Sequence, residues 1–131
     1  MTSTGPSEIG KFIAHDTLRD AQKEMVIDGI NILFKQGFLL AAAPTGIGKT
    51  AASLASSIEV ARNNQNQILF LTGRQSQHKI VIETVRSINS NLDKEISEVK
   101  VVDLIGRESM CEDVDKMTGK CSCEDGIIES S

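Results

Sequence analysis

The sequence predicts an α/β fold in which a parallel βαβαβ sheet carries a phosphate-binding loop at the carboxyl end of its first strand. Three observations carry that prediction. Residues 42–50 read A-A-P-T-G-I-G-K-T, with an apolar run before them and an alanine-rich stretch after them. Short aliphatic runs alternate with segments of helical period, the order expected of strand-helix repeats closed by right-handed crossovers. The 40% apolar content is drawn mostly from Ala, Ile, Leu and Val, with four Phe and neither Trp nor Tyr, which suits strands buried beneath helices.

Taken in order, residues 1–10 are polar, carry Gly5 and Pro6 and show no period, so they read as a loose arm. A helix is expected from about Asp16 and Thr17, where Thr17 followed by Asp20 gives a capping pattern. Val26, Ile30, Leu33 and Phe34 form its apolar face, and Gly37 ends it. Residues 38–42 are the first expected strand. The loop then leads into a helix with Ala51, Leu54, Ala55 and Ile58 as its inward stripe, closed by the polar residues 63–67. A second strand is expected at 68–71, a polar turn at 72–77, and a helix presenting Ile80, Val81, Thr84, Val85 and Ile88. The third strand is expected at 99–104. From Ile105 onward the chain is acidic and has neither period.

The loop carries the chemistry. It fits G-x-x-x-x-G-K-[ST] with Ala43 in place of the first glycine, followed by Pro44, Thr45, Gly46, Ile47, Gly48, Lys49 and Thr50. Gly46 and Gly48 lack a Cβ, so the backbone can turn tightly and aim its N–H groups at phosphate oxygens. Lys49 would reach the β and γ phosphates, and the Thr50 hydroxyl would help hold Mg²⁺. The helix that follows adds the positive end of its dipole. Binding of a nucleoside triphosphate follows, with Lys49 and Thr50 as the catalytic pair.

At 131 residues the chain is one small domain or a piece of a larger one. Its net charge of −4 lies in the last stretch, where Glu112, Asp113, Asp115, Glu124, Asp125 and Glu129 face only Lys116 and Lys120. Residues 1–110 balance at twelve acids and twelve bases, so charge neither excludes nucleic acid nor supplies a basic stripe for it. No apolar run reaches the roughly 18 residues of a membrane span, and no basic start precedes a long apolar core. The chain is therefore expected inside the cell, in cytoplasm, nucleoid or nucleus, without a membrane partner.

Two further clusters leave alternatives open. Thr72, Arg74, Ser76 and Gln77 are either a solvated turn or donors to a nucleic-acid backbone, where Arg makes bidentate contacts with phosphate. All three cysteines, Cys111, Cys121 and Cys123, fall in one short stretch. Such a group reads as zinc ligands, as iron–sulfur ligands or as inert thiols.

Four segments together resemble the start of XPD-type helicases, superfamily-two DNA helicases with an iron–sulfur cluster in the first motor domain. They are T-L-R-D-A-Q (17–22), A-P-T-G-I-G-K-T (43–50), F-L-T-G-R-Q-S-Q (70–77) and L-I-G-R-E-S-M-C (104–111), and the resemblance spans residues 16–123. It implies a partial RecA-like ATP-binding domain over 16–104, preceded by an arm at 1–15 and followed at 105–131 by the start of an iron–sulfur domain. Arg19 and Gln22 would lie near the nucleotide, Thr72, Arg74 and Gln77 would contact DNA, single-stranded or forked, and Cys111, Cys121 and Cys123 would ligate a 4Fe-4S cluster. Such a cluster takes four cysteines, so the fourth ligand is expected from outside this chain. ATP and Mg²⁺ would be the other cofactors, a second motor domain would follow in cis, and travel would be 5′ to 3′, in DNA repair. The 131 residues contain no D-E-A-H-like segment to hold Mg²⁺ and orient the attacking water, so alone they are expected to bind nucleotide but not to unwind DNA. A short non-catalytic module that binds nucleotide or DNA, or the relic of a broken gene, is the alternative. A different phosphate-loop enzyme, such as a small kinase, would leave 19–22 and the cysteines unexplained.

Overall fold

A computed structural model describes residues 10–15, 17–106, 115, 117 and 118. The chain divides into two compact units, Met1–Val101 and Val102–Ser131. Among the described residues the first unit has three helices, α1 (Asp20–Phe34), α2 (Lys49–Asn64) and α3 (Gln75–Asn91), and no strand.

The expected parallel βαβαβ sheet, and with it the RecA-like core, is therefore not formed. Residues 38–42 and 68–71 follow their helices, but among the described residues no backbone hydrogen bond joins either run to another. Phe38 and Leu40 are 100% and 99% exposed, and Leu69 and Leu71 77% and 80%. An apolar run of strand length marks a segment that can pair; pairing itself supplies the hydrogen bonds that make it a strand. At Val99, the first residue of the third expected strand, those bonds go to a side chain instead. The Asn89 carboxamide accepts from the Val99 N–H at 2.9 Å and donates to the Val99 carbonyl at 3.0 Å. Beside it, Arg62 donates to the carbonyls of Ser97 and Glu98 and to the Ser97 hydroxyl. The Asn89 side chain thus occupies backbone groups of Val99 that a neighbouring strand would have used, while Arg62 holds the two residues just before the expected strand.

Packing is organised by α2. Its small side chains let it bury two faces at once. One, through Ala51, Leu54 and Ile58, meets Val81, Val85 and Ile88 of α3 together with Phe12 and Ala14. The other, through Ala52, Ala55 and Val60, meets Val26 and Ile30 of α1. The expected stripe of Ala51, Leu54, Ala55 and Ile58 is buried throughout. On α3, Val81, Val85 and Ile88 are buried as expected, whereas Ile80 is half exposed. Ile58, Ile88 and Val26 are the largest fully buried side chains, each worth about 1.5–3 kcal/mol of apolar transfer. Where α1 crosses α2, Gly29 is required: a Cβ there would stand 2.7 Å from Ser56 Oγ and 2.8 Å from Ser56 Cβ.

Residues 10–15, ahead of α1, are tied down. Phe12 and Ala14 are buried, the Arg62 guanidinium lies 5.7 Å from the Phe12 ring centre, and Lys11 N–H donates to Glu59 at 3.1 Å.

Helix boundaries differ from the sequence expectation for local reasons. Helix α1 begins at Asp20, with Arg19 as the N-cap in extended conformation, because Gln22 Oε1 accepts from the Arg19 N–H at 3.1 Å. Thr17 does not cap it. At the other end Gln36 takes the left-handed conformation, φ 56°. Its N–H donates to the Leu33 carbonyl, and that of Gly37 to the Ile32 carbonyl at 2.9 Å, which is a Schellman closure. Gln65 ends α2 in the same way, φ 55°, with Asn66 N–H donating to the Ala61 carbonyl.

In the second unit, Asp115 accepts from the Met117 N–H at 2.8 Å. That bond, with a further one from the Thr118 side chain, holds the carboxyl below the ordinary aspartate range. No described helix is long and apolar enough to cross a membrane.

Candidate phosphate-binding loop

The loop lies between residues 38–42, which form no helix or strand, and the first turn of α2. Gly46 and Gly48 both sit in the left-handed region, at φ 84° and φ 81°, where a Cβ would crowd the following carbonyl. Both glycines of the loop, Gly48 at a motif position and Gly46 between the motif positions, are thus used as glycines. Gly48 is also the N-cap of α2, and no side chain caps that end. The first N–H groups of a helix have no partner within it, so this end offers backbone donors where the motif needs them. The first helical bond runs from the Ala52 N–H to the Gly48 carbonyl at 3.1 Å.

Two cations donate to carbonyls of the loop. Lys49 Nζ donates to the Ala43 carbonyl at 2.7 Å, which folds the ammonium back across the turn. Arg19 Nη1, from the N-cap of α1, donates to the Gly46 carbonyl at 2.8 Å. Gln22, one turn into α1 and only 5% exposed, comes so near that a Cβ on Gly48 would stand 2.2 Å from its Nε2. Residues 19–22 and 43–50, separate in sequence, therefore meet. Pro44, Thr45 and Gly46 are exposed, while Ala43, Ile47, Gly48 and Thr50 are half-buried. Thr50 accepts through its carbonyl from the Ser53 hydroxyl at 3.1 Å.

The family description that matches residues 15–118 is the type III restriction enzyme, res subunit. The match covers α1, the loop, α2 and α3. The chain belongs to this family. It is a family of superfamily-2 helicase amino-terminal domains, so the restriction-subunit match places the loop within a helicase-like, ATP-dependent motor segment. No solved structure matches the chain.

The remaining expected site residues are placed as follows. Arg74 is the N-cap of α3 in extended conformation, and it is exposed, as is Gln77. The Thr72 hydroxyl donates to the Arg74 carbonyl at 3.3 Å, and the Gln77 N–H donates to the same oxygen at 3.0 Å. Thr72, Arg74 and Gln77 thus form one compact turn at the start of α3. Cys111, Cys121 and Cys123 lie outside the described residues, and among those described no cluster of His, Cys, Asp or Glu is arranged to hold a metal.

Sequence reasoning missed the packing of Gln22 against Gly48 and the grip of Arg62 and Asn89 on residues 97–99. The first pair is 26 positions apart, and neither residue type announces such a contact. A buried glutamine one turn into a helix is a weak sign that its amide has a backbone to hold.

Proposed function

We propose that the chain is the nucleotide-binding end of an ATP-dependent DNA motor. The observation that carries this reading is the loop itself: Lys49 drawn across a turn built on two left-handed glycines at an uncapped helix start, in a chain of this family. In the working motor Lys49 would neutralise the β and γ phosphates of ATP and Thr50 would ligate Mg²⁺. Arg19 and Gln22 would border the nucleotide, and Thr72, Arg74 and Gln77 would meet the phosphates of single-stranded or forked DNA. A second motor domain in cis would bring arginines to the transferred phosphate and so complete the hydrolytic site.

Binding of a labelled single-stranded oligonucleotide, followed by fluorescence anisotropy, tests the DNA half of this reading. The double variant Arg74→Ala, Gln77→Ala is expected to weaken binding about tenfold, because a charge-assisted phosphate contact is lost. Both side chains are exposed, so the melting temperature should hold. Unchanged DNA affinity would remove this turn from the interface.

The finer assignment, to XPD-type helicases travelling 5′ to 3′ in DNA repair, is supported by the four quoted segments and by the position of Cys111 after L-I-G-R-E-S-M. Three thiolates suit a 4Fe-4S cluster with one ligand from elsewhere. After anaerobic purification, iron and acid-labile sulfide in near-equal amounts are expected, and both should vanish in Cys111→Ser. A colourless, iron-free wild-type chain would contradict the cluster assignment and leave the nucleotide site untouched.

A further inference from the structure

We propose that the chain pairs with a second copy of itself through the bare side of residues 38–42 and 68–71. What the phosphate loop binds does not bear on this pairing.

Exposure alternates residue by residue along both stretches. Phe38, Leu40, Leu69 and Leu71 stand mostly in solvent, whereas Leu39, Ile68 and Phe70, which alternate with them, are 39%, 39% and 38% exposed. Leu39 Cδ2 lies 3.8 Å from the place a Cβ on Gly29 would take, so the covered side of 38–42 rests near the crossing of α1 and α2. The other side carries nothing. Among the described residues, no hydrogen bond from another part of the chain reaches the backbone of either stretch. Bare apolar side chains beside unpaired backbone groups call for an occupant that satisfies both, and a chain laid alongside does so.

Two features select a second copy as that occupant. The stretches read F-L-L-A-A and I-L-F-L, without a charged residue, so identical surfaces meet free of like-charge repulsion, and a two-fold interface needs a surface complementary to itself. The area also suffices. A large apolar side chain offers about 100 Å² when wholly exposed, so Phe38, Leu40, Leu69 and Leu71 offer roughly 350 Å² per chain and about 700 Å² per pair. At the roughly 60% apolar share of protein interfaces this corresponds to about 1,200 Å² in all, the lower edge of stable association. A reversible dimer follows.

The test is sedimentation velocity of the full chain over a concentration series from micromolar to near-millimolar. A reducing buffer with a chelator ensures that neither a disulfide nor a shared metal joins two copies. The mass is expected to rise from 14.2 kDa to twice that value and no further. The double variant Leu40→Glu, Leu71→Glu should weaken the dimer at least about tenfold, because each glutamate sets a charge against the apolar surface of the other copy. Both side chains are exposed, so helix content by circular dichroism should be kept. A mass of 14.2 kDa at every concentration would overturn the pairing and leave these stretches to a different occupant, a further segment in cis or another protein. Growth beyond a dimer, or a dimer that the double variant leaves intact, would overturn it as well. Hydrogen exchange on the wild-type chain covers the case in which the variant does not fold. Amides of 38–42 and 68–71 should exchange more slowly at the high end of the series than at the low end, with those of α1, α2 and α3 unchanged; exchange that ignores concentration contradicts the dimer.

Discussion

Lys49→Ala is expected to lower affinity for Mg²⁺–ATP by roughly ten- to a hundredfold, the range for losing a hydrogen bond to a charged group. The melting temperature should barely change. Lys49 is exposed, and its bond to the Ala43 carbonyl lies at the surface, where substitutions usually alter stability by less than about 0.5 kcal/mol. That separation is the useful feature of the variant. In the unliganded loop the ammonium is satisfied by a backbone carbonyl; in the complex it would exchange that partner for phosphate oxygens, a stronger, charge-assisted interaction. Lys49→Arg should recover only part of the affinity, because a planar guanidinium does not reproduce a compact point charge on a flexible stem. Calorimetric titration of the three proteins, with thermal melts run alongside, checks both statements. Equal affinity in wild type and Lys49→Ala would show that ATP, if bound, is held elsewhere.

Gly48→Ala is expected to damage both stability and nucleotide binding, and to do so more than Gly46→Ala. The two glycines share a left-handed backbone, φ 81° and φ 84°, so each alanine carries a similar conformational penalty of roughly 1–2 kcal/mol. They differ in surroundings. A Cβ at 46 meets nothing within 4 Å, whereas one at 48 meets Gln22 Nε2 at 2.2 Å. To make room, Gln22 must leave its buried place and give up the Arg19 N–H, or the first turn of α2 must move away from α1. Overpacking of this kind typically costs about 1–3 kcal/mol in addition. Urea denaturation of the two variants therefore isolates the clash as their difference. A gap of at least about 1 kcal/mol, with Gly48→Ala the weaker protein, is the expected result. Indistinguishable midpoints would mean that the α1–loop contact contributes nothing.

The comparison of sequence and structure turns on what each signal encodes. A stripe such as Ala51, Leu54, Ala55 and Ile58 specifies its own geometry, because helical hydrogen bonds are local and the apolar face needs only something to pack on. All four are buried. The loop is legible for the same reason, since glycine's tolerance of positive φ is a property of the residue itself. Strands are different. Residues 38–42 and 68–71 are apolar and short as strands should be, yet their hydrogen bonds depend on a neighbour that the sequence of the run does not name. At 99 the neighbour is replaced by the carboxamide of Asn89, which no periodicity foretells. Helix α1 illustrates the scale of boundary error: Thr17 followed by Asp20 has the form of a cap, but Gln22 folding back on Arg19 sets the start instead. The expectation that Arg19 and Gln22 border a nucleotide comes only from the resemblance of 17–22 to a helicase motif. Their contacts with Gly46 and Gly48 are tertiary and emerge only from the fold.

The most direct test of the nucleotide site is a titration of the isotopically labelled chain with Mg²⁺–ATP, followed by two-dimensional proton–nitrogen correlation spectra. Saturable shifts centred on Gly46, Gly48, Lys49 and Thr50, extending to Arg19 and Gln22 and sparing α3 beyond its first turn, are the predicted result. Absence of any saturable shift at millimolar ATP, or shifts that avoid residues 43–50, would contradict the assignment of this loop as the nucleotide site.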